Sequence, residues 1–208
     1  MRHAYSVAAV RVAERSLLAQ QNFDDELMRL AARGVAATAT SMLDSGRHVT
    51  ILAGPGGNGG DGLYAGAFLA EEGYSVEAIL AADSAHDPAL EAFTAVGGTI
   101  AHDLGNADLL IDAVAGLAST RGLSGAPLRA YTEAKERGVP VLAVDIPSGI
   151  NADTGVAAAE AVEADVTISF GWARAGHIFA PECGAVVLCD LLLPGAPRSF
   201  AEELSATA

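Results

Sequence analysis

After Ser45-Gly46, short apolar runs alternate with longer amphipathic segments, and that alternation constrains the fold more than any other feature. Residues 49–53, 76–81, 109–113, 139–144 and 166–170 are short and apolar, as strands buried on both faces are. Residues 61–72, 88–96 and 127–137 lie between them and carry the spacing of amphipathic helices. Strand and helix in turn build βαβ units, whose parallel strands lie in a sheet covered on both faces. A further short strand is expected at residues 185–189. The chain before Gly46 reads as helix, about residues 5–45. Ser6 precedes Val7, Val10, Leu17 and Leu18 at helical spacing, and Asp24-Asp25 precedes Leu27, Met28, Leu30 and Val35.

The 208 residues suffice for one core and show no internal repeat, low-complexity stretch or linker, so residues 1–208 read as a single domain. An apolar share of 51% against 18% charged residues places the chain with globular proteins rather than disordered ones. Asp and Glu number 26 against 12 Lys and Arg, with no basic cluster, which argues against nucleic acid as a partner. Residues 1–6 lack the apolar run of a secretory signal. Residues 186–193 are too short to span a bilayer and are interrupted by Cys189-Asp190. A cytoplasmic protein with no membrane partner is expected. Cys183 and Cys189 are then expected as reduced thiols in or near the core, a disulfide being the alternative, and with only His177 nearby a metal site is not expected. The tail, residues 194–208, carries Gly195, Pro197 and small residues and reads as a surface terminus.

The run Gly54-Pro55-Gly56-Gly57-Asn58-Gly59-Gly60-Asp61-Gly62 follows the first apolar strand almost directly. Glycine admits positive φ and lets a ligand come close to main-chain N–H groups. Where those groups open a helix, here near Gly60, their unpaired donors and the helix dipole attract an anion. The loop reads either as a phosphate cradle or as a tight strand-to-helix turn. Gly54, Gly56 and Gly59 satisfy G-x-G-x-x-G, yet Pro55 removes a donor and Asp61 brings a carboxylate where a pyrophosphate would sit. An amide and a carboxylate inside a phosphate loop suit a ligand that also presents hydroxyls or a cation.

In an open parallel sheet, ligands bind beyond the carboxyl ends of the strands. Asn58 and Asp61 follow the first strand, Asp112 closes the run at 109–113 ahead of Gly116, and Asp145 leads into Ile146-Pro147-Ser148-Gly149. One cleft at that rim would gather them. Turn formation is the alternative for Asn58, Asp112 and Asp145. The segment from Gly116 to Gly122 is either a second loop that contacts phosphate or ribose, through its hydroxyls and Arg121, or a simple connection. His3, His48, His86, His102 and His177 are scattered without metal or triad spacing, and most are expected at the surface. Trp172 is expected to pack rather than to stack on a ligand.

Together these residues resemble the NAD(P)H-hydrate epimerase family, the YjeF N-terminal domain family. Gly56-Gly57-Asn58-Gly59-Gly60-Asp61-Gly62 is similar to its G-x-N-G-G-D-G loop, and Ile111-Asp112-Ala113-Val114-Ala115-Gly116 to its strand ending in Asp. Val141-Leu142-Ala143-Val144-Asp145-Ile146-Pro147-Ser148-Gly149, Asn151-Ala152-Asp153-Thr154-Gly155 and Ala164-Asp165-Val166-Thr167-Ile168-Ser169-Phe170-Gly171 follow in the family's order. Two departures stand out. Gly57 occupies a position where the family commonly has Asn, and Ala115-Gly116-Leu117-Ala118 stands where it often has Phe-Gly-Thr-Gly.

The resemblance implies a Rossmann-like three-layer αβα sandwich with a mostly parallel central sheet, N-terminal helices and a homodimeric assembly. It implies that Gly57, Asn58, Gly59, Gly60 and Asp61 hold a hydrated dinucleotide while Gly116, Leu117, Ala118, Ser119, Thr120, Arg121 and Gly122 close over it. Asn58, Asp112 and Ser148 would hold a potassium ion, an oxygen set that suits a hard cation. That ion's charge would relieve repulsion among Asp61, Asp112 and Asp145. Asp145 would contact the substrate and act as the catalytic acid/base. Many bacterial members continue into a dehydratase domain; nothing of one is visible in these residues, so that activity is not expected of them, and an NAD(P)H-hydrate dehydratase is the implied functional partner.

The implied reaction is an isomerisation between the R and S epimers at C6 of hydrated NADH or NADPH. The ring nitrogen's lone pair expels the hydroxyl, and water attacks the planar iminium ion from either face. Asp145 would protonate the departing oxygen, deprotonate the incoming water and stabilise the cation. Ring opening is an alternative route. Two other readings compete. A non-catalytic Rossmann-like nucleotide-binding or protein-interaction module is disfavoured by the retained Asp61, Asp112 and Asp145. A dinucleotide-dependent oxidoreductase with Asp83 on the ribose lacks an evident hydride-transfer partner.

Overall fold

The computed structural model describes residues 3–117 and 120–208. Helices α1 (Val7–Leu18) and α2 (Glu26–Met42) come first, followed by β1 (His48–Ala53), α3 (Gly57–Glu71), β2 (Ser75–Leu80) and α4 (Asp87–Ala95). Next are β3 (Thr99–Ile100), β4 (Leu109–Ala113), α5 (Gly125–Arg137), β5 (Val141–Val144) and β6 (Val166–Phe170). Helix α6 (Ala175–Phe179), a short 3-10 turn (Pro181–Cys183), β7 (Ala185–Cys189) and α7 (Phe200–Thr207) complete the described elements. All strand pairs are parallel, and the order is β3-β2-β1-β4-β5-β6-β7. From β1 the chain runs outward to β2 and β3, then returns to place β4 on the other side of β1. That reversal leaves a crevice above the carboxyl ends of β1 and β4.

The strands bury both faces, as their apolar sequences require. Val49, Ile51 and Ala53 of β1, with Leu109 and Ile111 of β4, pack against α1, α2, α3, α4 and α7. The alternating residues Leu52, Leu110, Val141 and Ala143 pack beneath α5 and beside Leu104, Leu123 and Val162. The result is the three-layer α/β sandwich, with most of its helices on one face.

Several boundaries differ from the expected ones. β5 begins at Val141 rather than 139, because Pro140 has no N–H for the ladder. β2 runs one residue earlier, although Ala81 N still donates to Ala53 O at 2.8 Å. The two-residue β3 and the short α6 are additional. The tail is not a plain surface terminus: Ser199 and Glu202 form a reciprocal capping box, α7 follows, and Phe200 and Leu204 are buried against the core. Ser6 caps α1 through its Oγ, whereas Asp25, at the head of α2, makes no capping bond and has a φ of 61°.

The glycine loop differs most. Helix α3 begins at Gly57, four residues before the expected start, so the loop is itself the first helical turn. None of its glycines has positive φ. Their role is close approach. A Cβ on Gly59 would lie 1.8 Å from Gly54 O, one on Gly54 2.0 Å from Val114 O, and one on Gly62 2.6 Å from Ala113 Cβ. The helix head thus sits against the ends of β1 and β4 at a distance only glycine allows.

Cys183 is buried and Cys189 half-buried, both unpaired, and burial pushes the Cys183 thiol up to about 12. Trp172 packs on Tyr5 and donates to Ala201 O at 3.2 Å. His3, His48 and His102 are exposed, but His177 is buried. Among the described residues, no helix is long and apolar enough to cross a membrane.

Candidate active site

The head of α3 is open. Gly60 N bonds back to Gly56 O at 3.1 Å, while the N–H groups of Gly57, Asn58 and Gly59 carry no hydrogen bond within the described residues. Gly56 and Gly57 are exposed. Three free main-chain donors at the positive end of a helix form an anion site. On one side lies a cleft of about 490 Å³ bordered by Gly57, Asn58, Ala81, Gly116, Arg121 and Gly122. On the other lies a chamber of about 240 Å³ whose walls include Glu14, Met28, Gly57, Asp61, Phe170 and Phe200. Gly57 borders both hollows.

Asp112 leaves β4 on the α5 side and is fully buried. Its Oδ2 accepts from Ser148 N at 2.7 Å, and its Oδ1 from Ser148 Oγ at 2.7 Å and Val114 N at 3.2 Å. Ser148 Oγ in turn accepts from Ala115 N at 3.1 Å. Burial raises the Asp112 carboxyl above its usual range, and the bonds from Ser148 and Val114 pull it back down. Asn58 faces Gly116: a Cβ on that glycine would lie 3.4 Å from the Asn58 Cβ, and the buried amide nitrogen has no partner.

Asp145 follows β5 in a three-residue turn closed by Ile146 N to Val144 O at 2.8 Å, with a φ of 65°. This is a γ-turn of the rarer hand, a strained form for a residue with a side chain. Two bonds fix it from outside. Asp145 N donates to Ile168 O at 2.7 Å, and His177 Nε2 lies 2.7 Å from Asp145 O. Because His177 Nδ1 accepts from Arg174 N at 3.1 Å, the proton sits on Nε2 and is donated to that carbonyl. Burial first, then the charge of Arg174, lowers the imidazole from its ordinary value, in keeping with the neutral ring.

The Asp145 side chain is held as firmly. Its Oδ1 lies 3.0 Å from Arg174 Nη2 and accepts from Ser169 Oγ at 3.2 Å. Arg174 is 1% exposed, and its Nη1 donates to Ser169 Oγ at 2.6 Å and to the carbonyls of Trp172 and Phe170. An arginine so enclosed serves as a fixed counter-charge. Asp61 is raised well above the ordinary carboxylate range, by burial first and then by the charges of Asp145, Glu14 and Asp25. Glu14 is raised by burial and Asp145, against the pull of Arg174 and Arg11.

The expected site residues thus gather at the carboxyl rim but divide between two hollows. Asn58, Gly116, Arg121 and Gly122 border the cleft, and Gly59 and Gly60 are buried in the first turn of α3. Asp61 lines the chamber, Asp112 and Ser148 lie buried and bonded to each other, and Asp145 accepts from Ser169, the chain neighbour of Phe170 in the chamber wall. Leu117 is half-buried and Thr120 exposed; Ala118 and Ser119 lie outside the described residues. Sequence reasoning missed Arg174, Ser169, His177 and Glu14. A lone Arg in the apolar stretch Trp172-Ala173-Arg174-Ala175-Gly176 was the available signal for the first of these.

Residues 24–176 match the family profile described as YjeF-related protein N-terminus. The chain is 37% identical over 238 residues to the bifunctional NAD(P)H-hydrate repair enzyme Nnr of Corynebacterium glutamicum, a match covering 99% of this chain and 42% of that protein. The NAD(P)H-hydrate epimerase of Microbacterium testaceum is 40% identical over 203 residues, covering 90% of this chain and 78% of its own length. The crystal structure of yeast YNL200c has the same fold, with a TM-score of 0.77 over 97% of this chain and 93% of that one at 21% identity. The chain spans about 42% of the length of the bifunctional relatives. A profile covering most of the residues, and relatives this similar across nearly all of them, place the chain in the YjeF N-terminal domain family.

Proposed function

We propose that this chain is an NAD(P)H-hydrate epimerase, an isomerase that interconverts the two C6 epimers of hydrated NADH or NADPH. One observation carries the reading: Gly57, at an open helix head, borders both the cleft and the carboxylate-lined chamber. A dinucleotide has the matching form, two bulky halves joined by an anionic pyrophosphate. The pyrophosphate sits on the N–H groups of Gly57, Asn58 and Gly59, with Gly116, Arg121 and Gly122 bordering the same cleft. The hydrated nicotinamide enters the chamber, where the Asp145 carboxylate offsets the positive charge that develops as the hydroxyl leaves. Asp145 is the acid/base group, held in place by Arg174 and Ser169. The names of the relatives support the same substrate.

A potassium ion belongs to this reading, held by Asn58, Asp112 and Ser148. The residues fit it. Asp112 is fully buried and pairs with no cationic side chain among the described residues. The Asn58 amide has one buried atom without a partner, and turning the amide presents oxygen there. When bound, the ion supplies positive charge to a buried oxygen set. A homodimer is proposed as well, through the edge strand β7, where Val187 and Leu188 are exposed and Leu188 borders a hollow with Ile178. A dehydratase acting on the same hydrate is the proposed functional partner.

The test starts from one purified epimer of hydrated NADH and follows the other by proton NMR. The expected result is equilibration far faster than in buffer. Equilibration at the buffer rate overturns the proposal.

A further inference from the structure

We propose that Glu14 of α1 is a second acid/base residue, exchanging protons on the face of the nicotinamide ring opposite the one that Asp145 serves. The inference rests on the epimerase reading and deepens it. Inverting a carbinol carbon through a planar ion requires a hydroxyl to leave one face and a water to be deprotonated on the other. A single carboxylate fixed in a strained turn and tied to a buried guanidinium reaches one face only. The structure supplies carboxylates from two layers. Asp145 stands at the edge of the sheet, after β5, while Glu14 comes from a helix that covers the sheet.

Glu14 meets the chemical requirements for the role. It lines the chamber with Asp61, Met28 and Phe170. Its carboxyl makes no ion pair and no hydrogen bond among the described residues, so it is spent on no internal partner. It is half-buried, so it can trade its proton with solvent between turnovers. Its carboxyl is raised by burial and by Asp145, against the pull of Arg174 and Arg11, a shift toward the form that donates a proton. Asp61 shares the chamber, but it stands on α3, the same helix whose head carries the proposed anion site, whereas Glu14 comes from α1.

The step balances. In one direction Glu14 gives its proton to the C6 hydroxyl, the C6–O bond breaks, and water leaves as the ring nitrogen's electron pair forms the C=N⁺ bond. A water on the other face then adds to C6, its proton passes to Asp145, and the electron pair returns to nitrogen. The reverse direction exchanges the roles.

Oxygen-18 water separates this from a structural role. Every passage through the planar ion admits a solvent oxygen, with or without inversion. For Glu14→Gln, epimerisation is expected to fall roughly 100-fold. Oxygen exchange with retention should persist nearly unchanged from the epimer whose hydroxyl meets Asp145. Glu14→Asp should recover part of the inversion rate. Equal loss of exchange and inversion, or no loss of either, overturns the assignment. Thermal melting of Glu14→Gln, expected to match the wild type because the side chain holds nothing, guards against misfolding. Wild-type protein that neither exchanges nor epimerises defeats the epimerase reading itself, a distinguishable result.

Discussion

Arg174 Nη2 lies 3.0 Å from Asp145 Oδ1, and the arginine is almost wholly enclosed. Two desolvated charges that satisfy each other contribute little net stability, but removing one leaves the other stranded. Arg174→Ala is therefore expected to cost about 3–5 kcal/mol. The double variant Arg174→Ala with Asp145→Asn should lose less than the sum of the single changes, because the stranded charge is gone. Urea unfolding of the four proteins measures the coupling. Strict additivity would mean the pair is not an energetic unit.

Asp145→Asn keeps a side chain that tolerates the left-handed backbone, so the turn should survive. Loss of the acid/base group is expected to slow epimerisation by about 10²–10⁴-fold. Binding of an unhydrated dinucleotide, measured by calorimetry, should change little. Unchanged turnover by NMR would remove Asp145 from the chemistry.

His177 gives the fold a pH dependence on the acid side. Its imidazole is lowered in the folded protein, so below the unfolded value of about 6.5 the unfolded chain takes a proton that the folded one refuses. Stability from this residue is present above that pH and is lost as pH falls toward the folded value, by at most ~1.4 kcal/mol per unit. Asp61, Asp112 and Glu14 are raised and act in the opposite sense, since the folded chain holds their protons longer. The comparison that isolates the histidine is wild type against His177→Gln, by urea midpoints from pH 5 to 8. The wild type should lose more stability on the acid side, and parallel curves would contradict this account.

Two glycines of the same helical turn should behave oppositely. At Gly59 an added methyl meets the backbone oxygen of Gly54, which has no flexible end to move aside. Gly59→Ala is expected to lose at least about 3 kcal/mol. At Gly57 the nearest atom is Met28 Cε at 3.8 Å, so Gly57→Ala should leave stability equal or raise it by up to ~1 kcal/mol through helix propensity. Thermal unfolding of the two variants decides the matter.

Ser148→Ala removes the hydroxyl that joins Asp112 Oδ1 to Ala115 N. The stranded N–H should cost about 1–3 kcal/mol. Potassium chloride is expected to stabilise the wild type more than equal sodium chloride, and that difference should vanish in the variant. Melting curves in the two salts check it; an identical salt response in both proteins would remove Ser148 from the ion site.

Much of this structure was legible because the strands are buried on both faces and announce themselves as apolar runs. The rim carboxylates followed from strand ends alone. Other features depended on contacts between distant segments. Helix α3 starts inside the glycine run because tight packing on β1 and β4 overrides poor propensity, which no local pattern shows. Glu14 carries no local signal, and its meaning arises only when α1 brings it to the chamber that Asp61 lines. Helix α7 was legible in Ser199 and Glu202, a capping signature masked by the glycine and prolines before it.

The donors at the head of α3 belong to the main chain, so no exchange of a side chain short of proline can delete them. At the buried glycines of this turn, Gly59 and Gly60, a side chain acts on those donors by shifting the helix from its seat. Affinity for the proposed ligand and thermal resistance should therefore decline together across variants at these two positions, and a library screened there for one property would sort the other.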